Sequence, residues 1–283
     1  MIGYNLIASP GQLANQMYKY AALKGIAKNM GYSFCIPPSY PFIEKNKFVY
    51  KASTKYFLKN NKQNHQLFKG FKMESLTRNN IKFLDSKEVI KEKTFEFDKK
   101  IFNNCPDNSN IWGFFQSEKY FINVRDDLKN DFKFKNKYYS KAKSIVNNFE
   151  NPTSIHVRRT DYITNENHSP LSLNYYEDAV SSFPKDQTFL VFTDDIEWVK
   201  KQKIFQQKNF YILSEILENK FLDLCSMKLC SNHIIANSSF SWWGAWLSDQ
   251  EQIIAPNNWF KNSKLEHLNT KDLIPSSWIK IDN

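Results

Sequence analysis

Four short strand-like runs in the second half of the chain constrain its fold most. They are TSIHVR at 153–158, FLVFT at 189–193, HIIA at 233–236 and QIIAP at 252–256. Helical patterns lie between them, at 174–182, from Ile196 onward and at 219–231. The last carries Phe221, Leu222, Leu224, Cys225, Met227 and Leu229 as candidate core. A further helix follows HIIA. Runs this short read as strands. Strand alternating with helix predicts a parallel sheet covered by helices on either side.

The first half opens in the same way. YNLIA at 4–8 reads as a strand, broken by Ser9-Pro10-Gly11. Residues 13–29 read as a helix with Leu13, Met17, Tyr20, Ala21, Leu23 and Ala27 on its apolar face, stopped at Gly31. YSFCI at 32–36 gives the next strand. IWGFFQSEKYF at 111–121 reads as a strand followed by a functional or packing loop, and 138–149 as a helix ended by Asn151-Pro152. Two α/β domains are expected, 1–150 and 151–283. Residues 40–110, rich in lysine and asparagine, yield no element assignment.

At 283 residues with 41% hydrophobic content, the chain supports a large core and is not a disordered one. Its net charge of +10 suits an anionic partner, or is a lysine-rich surface. The four cysteines form no CxxC pair and no zinc-site spacing, which favours free thiols in a reducing cytoplasm. No signal peptide and no run of about 18 apolar residues is present. Any membrane contact is expected to be peripheral. The basic residues are dispersed and no nucleic-acid motif occurs, so nucleic acid is not an expected partner.

Ligands of open α/β sheets bind beyond the C-terminal strand ends. At the first such end, His156 and Arg158 share one face of the strand, and Arg159 and Asp161 follow. An arginine pair there suits a phosphate or diphosphate. The alternative is a salt bridge in which Asp161 neutralises one arginine. At the second end, Asp195 either accepts hydrogen bonds from a purine such as guanine or caps the next helix. At the third, Asn237, Ser238 and Ser239 lead into a helix, where unpaired N–H groups and a positive dipole end favour an anion. One serine serves equally as a helix cap. Trp242, Trp243 and Trp246 would pack one side of that helix on the sheet. In the first half, Gly11, Asn15 and Gln16 stand at the helix start, suited to sugar hydroxyls or simply to starting the helix. There is no Walker A motif, no protein-kinase lysine motif and no carboxylate cluster for two metals.

Four blocks, GQLANQMYKYA (11–21), HVRRTDY (156–162), VFTDD (191–195) and IIANSSFSWWGAWL (234–247), resemble those of the α-1,2-fucosyltransferase family, glycosyltransferase family 11, in the same order. The last is the most specific. The resemblance implies a GT-B architecture, two Rossmann-like domains facing across a cleft, with the nucleotide sugar held by the C-terminal one. It implies metal-independent, inverting transfer of L-fucose from GDP-β-L-fucose to a sugar 2-hydroxyl, usually of galactose, without a cofactor. Arg158 would grip the diphosphate with His156 beside it. Asp195 would contact guanine, and Asn237, Ser238, Ser239 and Phe240 would border the nucleotide and phosphates. Asp161 is either the base or an orienting partner of Arg158 or Arg159. Gly11, Asn15 and Gln16 would face donor sugar or acceptor. Gln12 and Ala14 replace two glycines of the family block, which bears on acceptor identity and on the transferred sugar. Another GDP-sugar or acceptor position, and a non-catalytic GDP-sugar or glycan binder, are the competing readings. The implied setting is bacterial and cytoplasmic, building O-antigen or a similar glycan on a lipid-linked acceptor, with the positive charge favouring an anionic inner-leaflet surface.

Overall fold

A computed structural model describes residues 1–8, 10–38, 65–217, 219–248, 252–261 and 269–283. Ser9 and residues 40–64 of the lysine- and asparagine-rich segment lie outside the described residues. The chain divides into two units, Met1–Lys133 with Leu268–Leu273 and Phe134–His267 with Ile274–Asn283.

The first unit holds a parallel sheet of β1 (Ile2–Gly3), β2 (Phe34–Cys35), β3 (Val89–Lys91) and β4 (Asn110–Trp112), ordered β2-β1-β4-β3. The strand expected at 4–8 is displaced: pairing ends at Gly3 and residues 5–8 turn. The cause is side-chain capture of backbone. Tyr4 Oη accepts from Gly113 N at 2.9 Å, and the Asn5 amide exchanges hydrogen bonds with both backbone groups of Leu84. Helix α1 (Leu13–Met30) ends where glycine was expected to end it. Gly31 adopts φ +68°, the left-handed C-cap conformation that glycine accepts without a Cβ clash. The single apolar face expected for α1 is exceeded, because even Lys19 and Lys24 are buried. Lys24 Nζ pairs at 2.6 Å with Asp131, whose carboxylate also accepts from Tyr20 Oη, Ser75 N and Ser75 Oγ. A buried charge is tolerable only with such full pairing.

The second unit starts earlier than residue 151. Helix α2 (Asn136–Val146) groups with it because Val146 is buried in its core and Tyr138 lies 5.2 Å from Phe221. Conversely, Asp272 joins the first unit, accepting from Phe97 N at 3.0 Å and pairing with Lys119.

The sheet of this unit runs β5 (Thr153–Val157), β6 (Phe189–Thr193), β7 (Phe210–Ile212), β8 (Asn232–Ile234), β9 (Ile253–Pro256) and β10 (Ile279–Ile281). All pairings are parallel, in the order β10-β9-β8-β5-β6-β7. The helices are α3 (Leu173–Ser181), α4 (Ile196–Lys201), α5 (Lys220–Lys228) and α6 (Ser239–Trp246). Both faces are covered, as side-chain alternation along β6 demonstrates. Phe189 and Val191 join a cluster with Ile155, Tyr175, Tyr176 and Ile234, while Leu190 and Phe192 join Leu222 and Met227 opposite. Numbered from β5, the order is that of a doubly wound nucleotide-binding sheet. From β5 the chain builds outward through β6 and β7. It then returns to β8 on the other side and builds through β9 and β10. The reversal falls between β5 and β8.

Candidate active site

The crevice rule for open sheets points to the C-terminal ends of β5 and β8. His156 is the penultimate residue of β5. Its Nδ1 lies 2.9 Å from Ser241 Oγ in the first turn of α6. Burial, with the Arg158 charge adding to it, holds this imidazole well below the ordinary histidine range, so the ring is neutral.

Arg158 follows the strand. It pairs with Asp161 at 2.7 Å and with Asp194 at 3.1 Å, with its side chain 29% exposed. Its guanidinium lies 5.6 Å from the Tyr162 ring centroid. Burial works against its charge, but the Asp161 hydrogen bond and the Asp194 charge outweigh it and raise its pKa. Arg159 takes a different course. Its guanidinium stacks on Trp198 at 3.9 Å and Nε donates to Asp195 at 3.2 Å. Asp195 is the N-cap of α4, accepting from Trp198 N at 3.1 Å. The capping alternative for Asp195 is therefore observed, and the same carboxylate anchors Arg159.

Asp194 went unassigned in the sequence, although it adjoins Asp195. It accepts from Arg158, Arg159 N and Thr160 Oγ1, tying the end of β6 to the turn after β5. Three carboxylates thus face two arginines. The cluster is a set of directed donors and not an open positive patch, so anion affinity there depends on geometry and on the neighbouring helix end.

That helix end is α6. Ser238 caps it, accepting from Phe240 N at 3.4 Å, and Ser241 Oγ donates to Ser238 O at 3.2 Å. Ser239 and Phe240 are half-buried in the first turn. Asn237, 2% exposed, donates through Nδ2 to Ser169 O at 3.1 Å and Trp259 O at 3.2 Å, while its own carbonyl accepts from Tyr162 Oη at 3.1 Å. Trp242, Trp243 and Trp246 are all buried, with ring centroids 5.1–6.1 Å apart. Residues 241–246 are buried on every side, so α6 is a core helix and not an amphipathic one.

Gly11, Asn15 and Gln16 lie in the first unit. Asn15 Oδ1 accepts from Gln116 Nε2 at 2.8 Å. Gln16 is 1% exposed and its Oε1 accepts from Gln66 N at 2.8 Å, a contact that braces the loop before residue 67. Two charged residues nearby carried no sequence signal beyond their type. Buried Lys19 donates to Pro10 O at 2.6 Å and lies 5.6 Å from the ring centroids of Tyr4 and Phe114. Glu92 accepts from Phe114 N at 2.7 Å and from Phe115 N at 2.9 Å. Burial lowers the lysine to about 7 and raises the glutamate to about 7, each partly countered by the other's charge.

The family model of glycosyl transferase family 11 matches residues 1–282. An α-1,2-colitosyltransferase from Escherichia coli is 32% identical over 96% of this chain and 97% of its own length. WbnK, an O-antigen biosynthesis glycosyltransferase from the same organism, is 36% identical over 49% of this chain and 47% of its own. A family 9 glycosyl transferase structure from Veillonella parvula shares the fold at TM-score 0.50 and 10% identity, over 99% of this chain and 86% of that one. The two parallel-sheet α/β units are those of the GT-B class. The chain is a glycosyltransferase, a member of glycosyl transferase family 11.

Proposed function

We propose that this enzyme moves an L-fucose-type sugar from its GDP ester to a sugar 2-hydroxyl, with inversion, during bacterial surface-glycan synthesis. The observation that carries the donor half is at the β5–β8 reversal, where His156 reaches Ser241 in the first turn of α6 and Arg158, two residues on, is held by Asp161 and Asp194. Breaking the sugar–phosphate bond leaves growing negative charge on the diphosphate. A guanidinium fixed by Asp161 and Asp194, and the N–H groups heading α6, stabilise that charge more as it develops. Asp161 is assigned as the orienting partner of Arg158, because its carboxylate is held at 2.7 Å by the guanidinium. His156, neutral, borders the diphosphate. Asp195, Asn237, Ser238, Ser239 and Phe240 surround the nucleotide. The first unit, with Gly11 and Asn15, serves the acceptor side. No metal is required, since the arginine and helix end take the charge role; undiminished turnover in EDTA is the expected result, and loss restored by manganese refutes it.

The colitosyltransferase relative favours a second reading of the donor. Colitose is L-fucose without its 3-hydroxyl, so a site shaped for one lacks or gains a single polar contact with the other. The deciding assay offers GDP-fucose, GDP-colitose and GDP-mannose with a galactose-terminated acceptor, followed by linkage analysis. Transfer from GDP-fucose or GDP-colitose to the 2-hydroxyl supports the proposal. Use of GDP-mannose alone, or linkage to another position, refutes it. Among the described residues no helix is long and apolar enough to cross a membrane. A cytoplasmic enzyme visiting an anionic inner leaflet through its positive charge is part of the proposal, and salt-sensitive binding to anionic vesicles tests it.

A further inference from the structure

Two buried polar atoms near Arg158 have no hydrogen-bond partner, Oδ1 of Asn237 and Nδ1 of His168. Buried polar atoms are nearly always paired, so each needs an explanation. Turning in place relieves neither, since each already spends its donor on a backbone carbonyl, Asn237 on Ser169 and Trp259 and the His168 ring on Trp259. The Asn237 Nδ2 already donates to the carbonyls of Ser169 and Trp259, and a flipped amide would set oxygen against both. The His168 ring stacks on Tyr162, centroids 4.6 Å apart and planes 15° from parallel, and packs against Phe260 at 4.9 Å. Its backbone N–H is held by Asn165 Oδ1 at 3.0 Å.

Tyr162 joins the two residues to each other and to the arginine. Its ring carries His168, its hydroxyl donates to the Asn237 carbonyl at 3.1 Å, and Arg158 lies 5.6 Å from its ring centroid. The unpaired atoms therefore belong to the cluster that supports Arg158, at the β5–β8 reversal. Burial lowers the pKa of His168, opposed by the Asp161 charge and a hydrogen bond to the Trp259 backbone, with the Arg158 charge adding to the lowering.

The chemistry of a fitting group follows. Asn237 Oδ1 only accepts, so a phosphate oxygen cannot pair with it. The hydrogen bond between the His168 ring and the Trp259 backbone uses its other nitrogen as donor, so neutral His168 presents a lone pair at Nδ1. Both atoms call for a donor, and the hydroxyls of the transferred sugar supply one to either atom. We propose that His168 and Asn237 form a hydroxyl-recognising subsite for the transferred sugar, resting on the GDP-sugar reading of the Arg158 site.

The test uses the full chain and the variant His168→Phe, which keeps a stacking plate and removes both ring nitrogens. Titrations with pyrophosphate, GDP and GDP-fucose separate the sources of binding. The expected result is about tenfold weaker GDP-fucose binding with GDP and pyrophosphate unchanged, the loss of one hydrogen bond that leaves a buried partner unpaired. Equal weakening of GDP and GDP-fucose, with pyrophosphate unchanged, assigns the subsite to ribose or guanine and overturns the transferred-sugar assignment. Weakened pyrophosphate binding overturns the subsite, because the ring then acts through Arg158. No change in any titration leaves the two atoms to ordered water and also overturns it. Wild-type protein that binds neither GDP nor GDP-fucose refutes the donor reading and the subsite together. Should the variant unfold, nitrogen NMR of His168 in the wild type decides: a shift with GDP-fucose beyond that with GDP supports the subsite, and identical shifts overturn it.

Discussion

Nδ1 of His156 and Oγ of Ser241 lie 2.9 Å apart, which ties the end of β5 to the first turn of α6 across the sheet's point of reversal. Ser241 directs its hydroxyl hydrogen to Ser238 O. Nδ1 of the histidine is then the donor, and the ring is the tautomer with its lone pair on Nε2. Ser241 thus fixes both the helix start and the histidine's orientation.

Ser241→Ala tests this link. It leaves the Nδ1–H of a buried ring without its acceptor, at a cost of about 1–3 kcal/mol. Urea unfolding should show that loss, and GDP affinity should fall because the first turn of α6 loses its anchor. Unchanged stability and unchanged GDP affinity would remove the link from the site.

Asp161→Asn separates orientation from proton transfer. The amide still accepts from Arg158 but no longer carries charge. As an orienting residue, Asp161 should lose about tenfold in kcat or less, in proportion to one weakened charge-assisted hydrogen bond, with the pH profile of kcat unshifted. A general base removed costs about a hundredfold or more and abolishes the acidic limb of that profile. Steady-state kinetics from pH 5 to 9 distinguishes the two.

Three buried histidines, His65, His156 and His233, are held by burial at about 3. Each takes a proton readily only after unfolding. Its contribution is therefore complete above the ordinary value of about 6.5 and is lost as pH falls toward 3, by up to ~1.4 kcal/mol per pH unit. Glu92 and Asp223, raised to about 7 by burial, act oppositely and favour the fold below their shifted values. The difference between variant and wild type isolates one histidine. His233→Asn keeps a polar partner for Ser154 Oγ, which lies 2.7 Å from His233 Nδ1. Its unfolding free energy should fall less steeply than wild type's between pH 6.5 and 5. Parallel slopes would show that His233 titrates normally in the fold.

The β6 and β9 strands were legible because each is buried on both faces, so apolar side chains run on without alternation; β5 alternates Ser154 and His156 with Ile155 and Val157, the period of a strand, and β8 showed through the apolar residues at its end, Ile234 and Ile235. β7 and β10 were not, since Tyr211 and Ile279 are exposed and each strand has three residues. Short, half-exposed edge strands carry too little hydrophobic pattern to stand out. Gly31 was readable from local chemistry alone. The placement of the candidate site was readable to the extent that a strand end names its residues: His156 and Arg158 at the end of β5 and Ser238 at the head of α6 follow from position. What local pattern leaves open is pairing. Arg158 meets Asp194 across the sheet, and Arg159 stacks on Trp198, through contacts 36 and 39 positions apart in the chain. Sequence leaves Asp195 between cap and ligand for the same reason, because a cap is decided by its own helix and a ligand by distant residues.

Gly11→Ala probes the first unit. Gly11 has φ +102°, outside the range that L side chains adopt freely, and an added Cβ would lie 2.3 Å from Asn15 Nδ2. Alanine must move either the backbone or the Asn15 side chain, at about 1–3 kcal/mol. Asn15 is the side chain that accepts from Gln116, so relief at Gly11 disturbs that contact. If this loop serves the acceptor, the acceptor KM should rise severalfold, while GDP binding to the second unit stays as it was. Isothermal titration with GDP and acceptor-dependent kinetics give the two readings. A drop in GDP affinity with an unchanged acceptor KM would move Gly11 and Asn15 to the donor side.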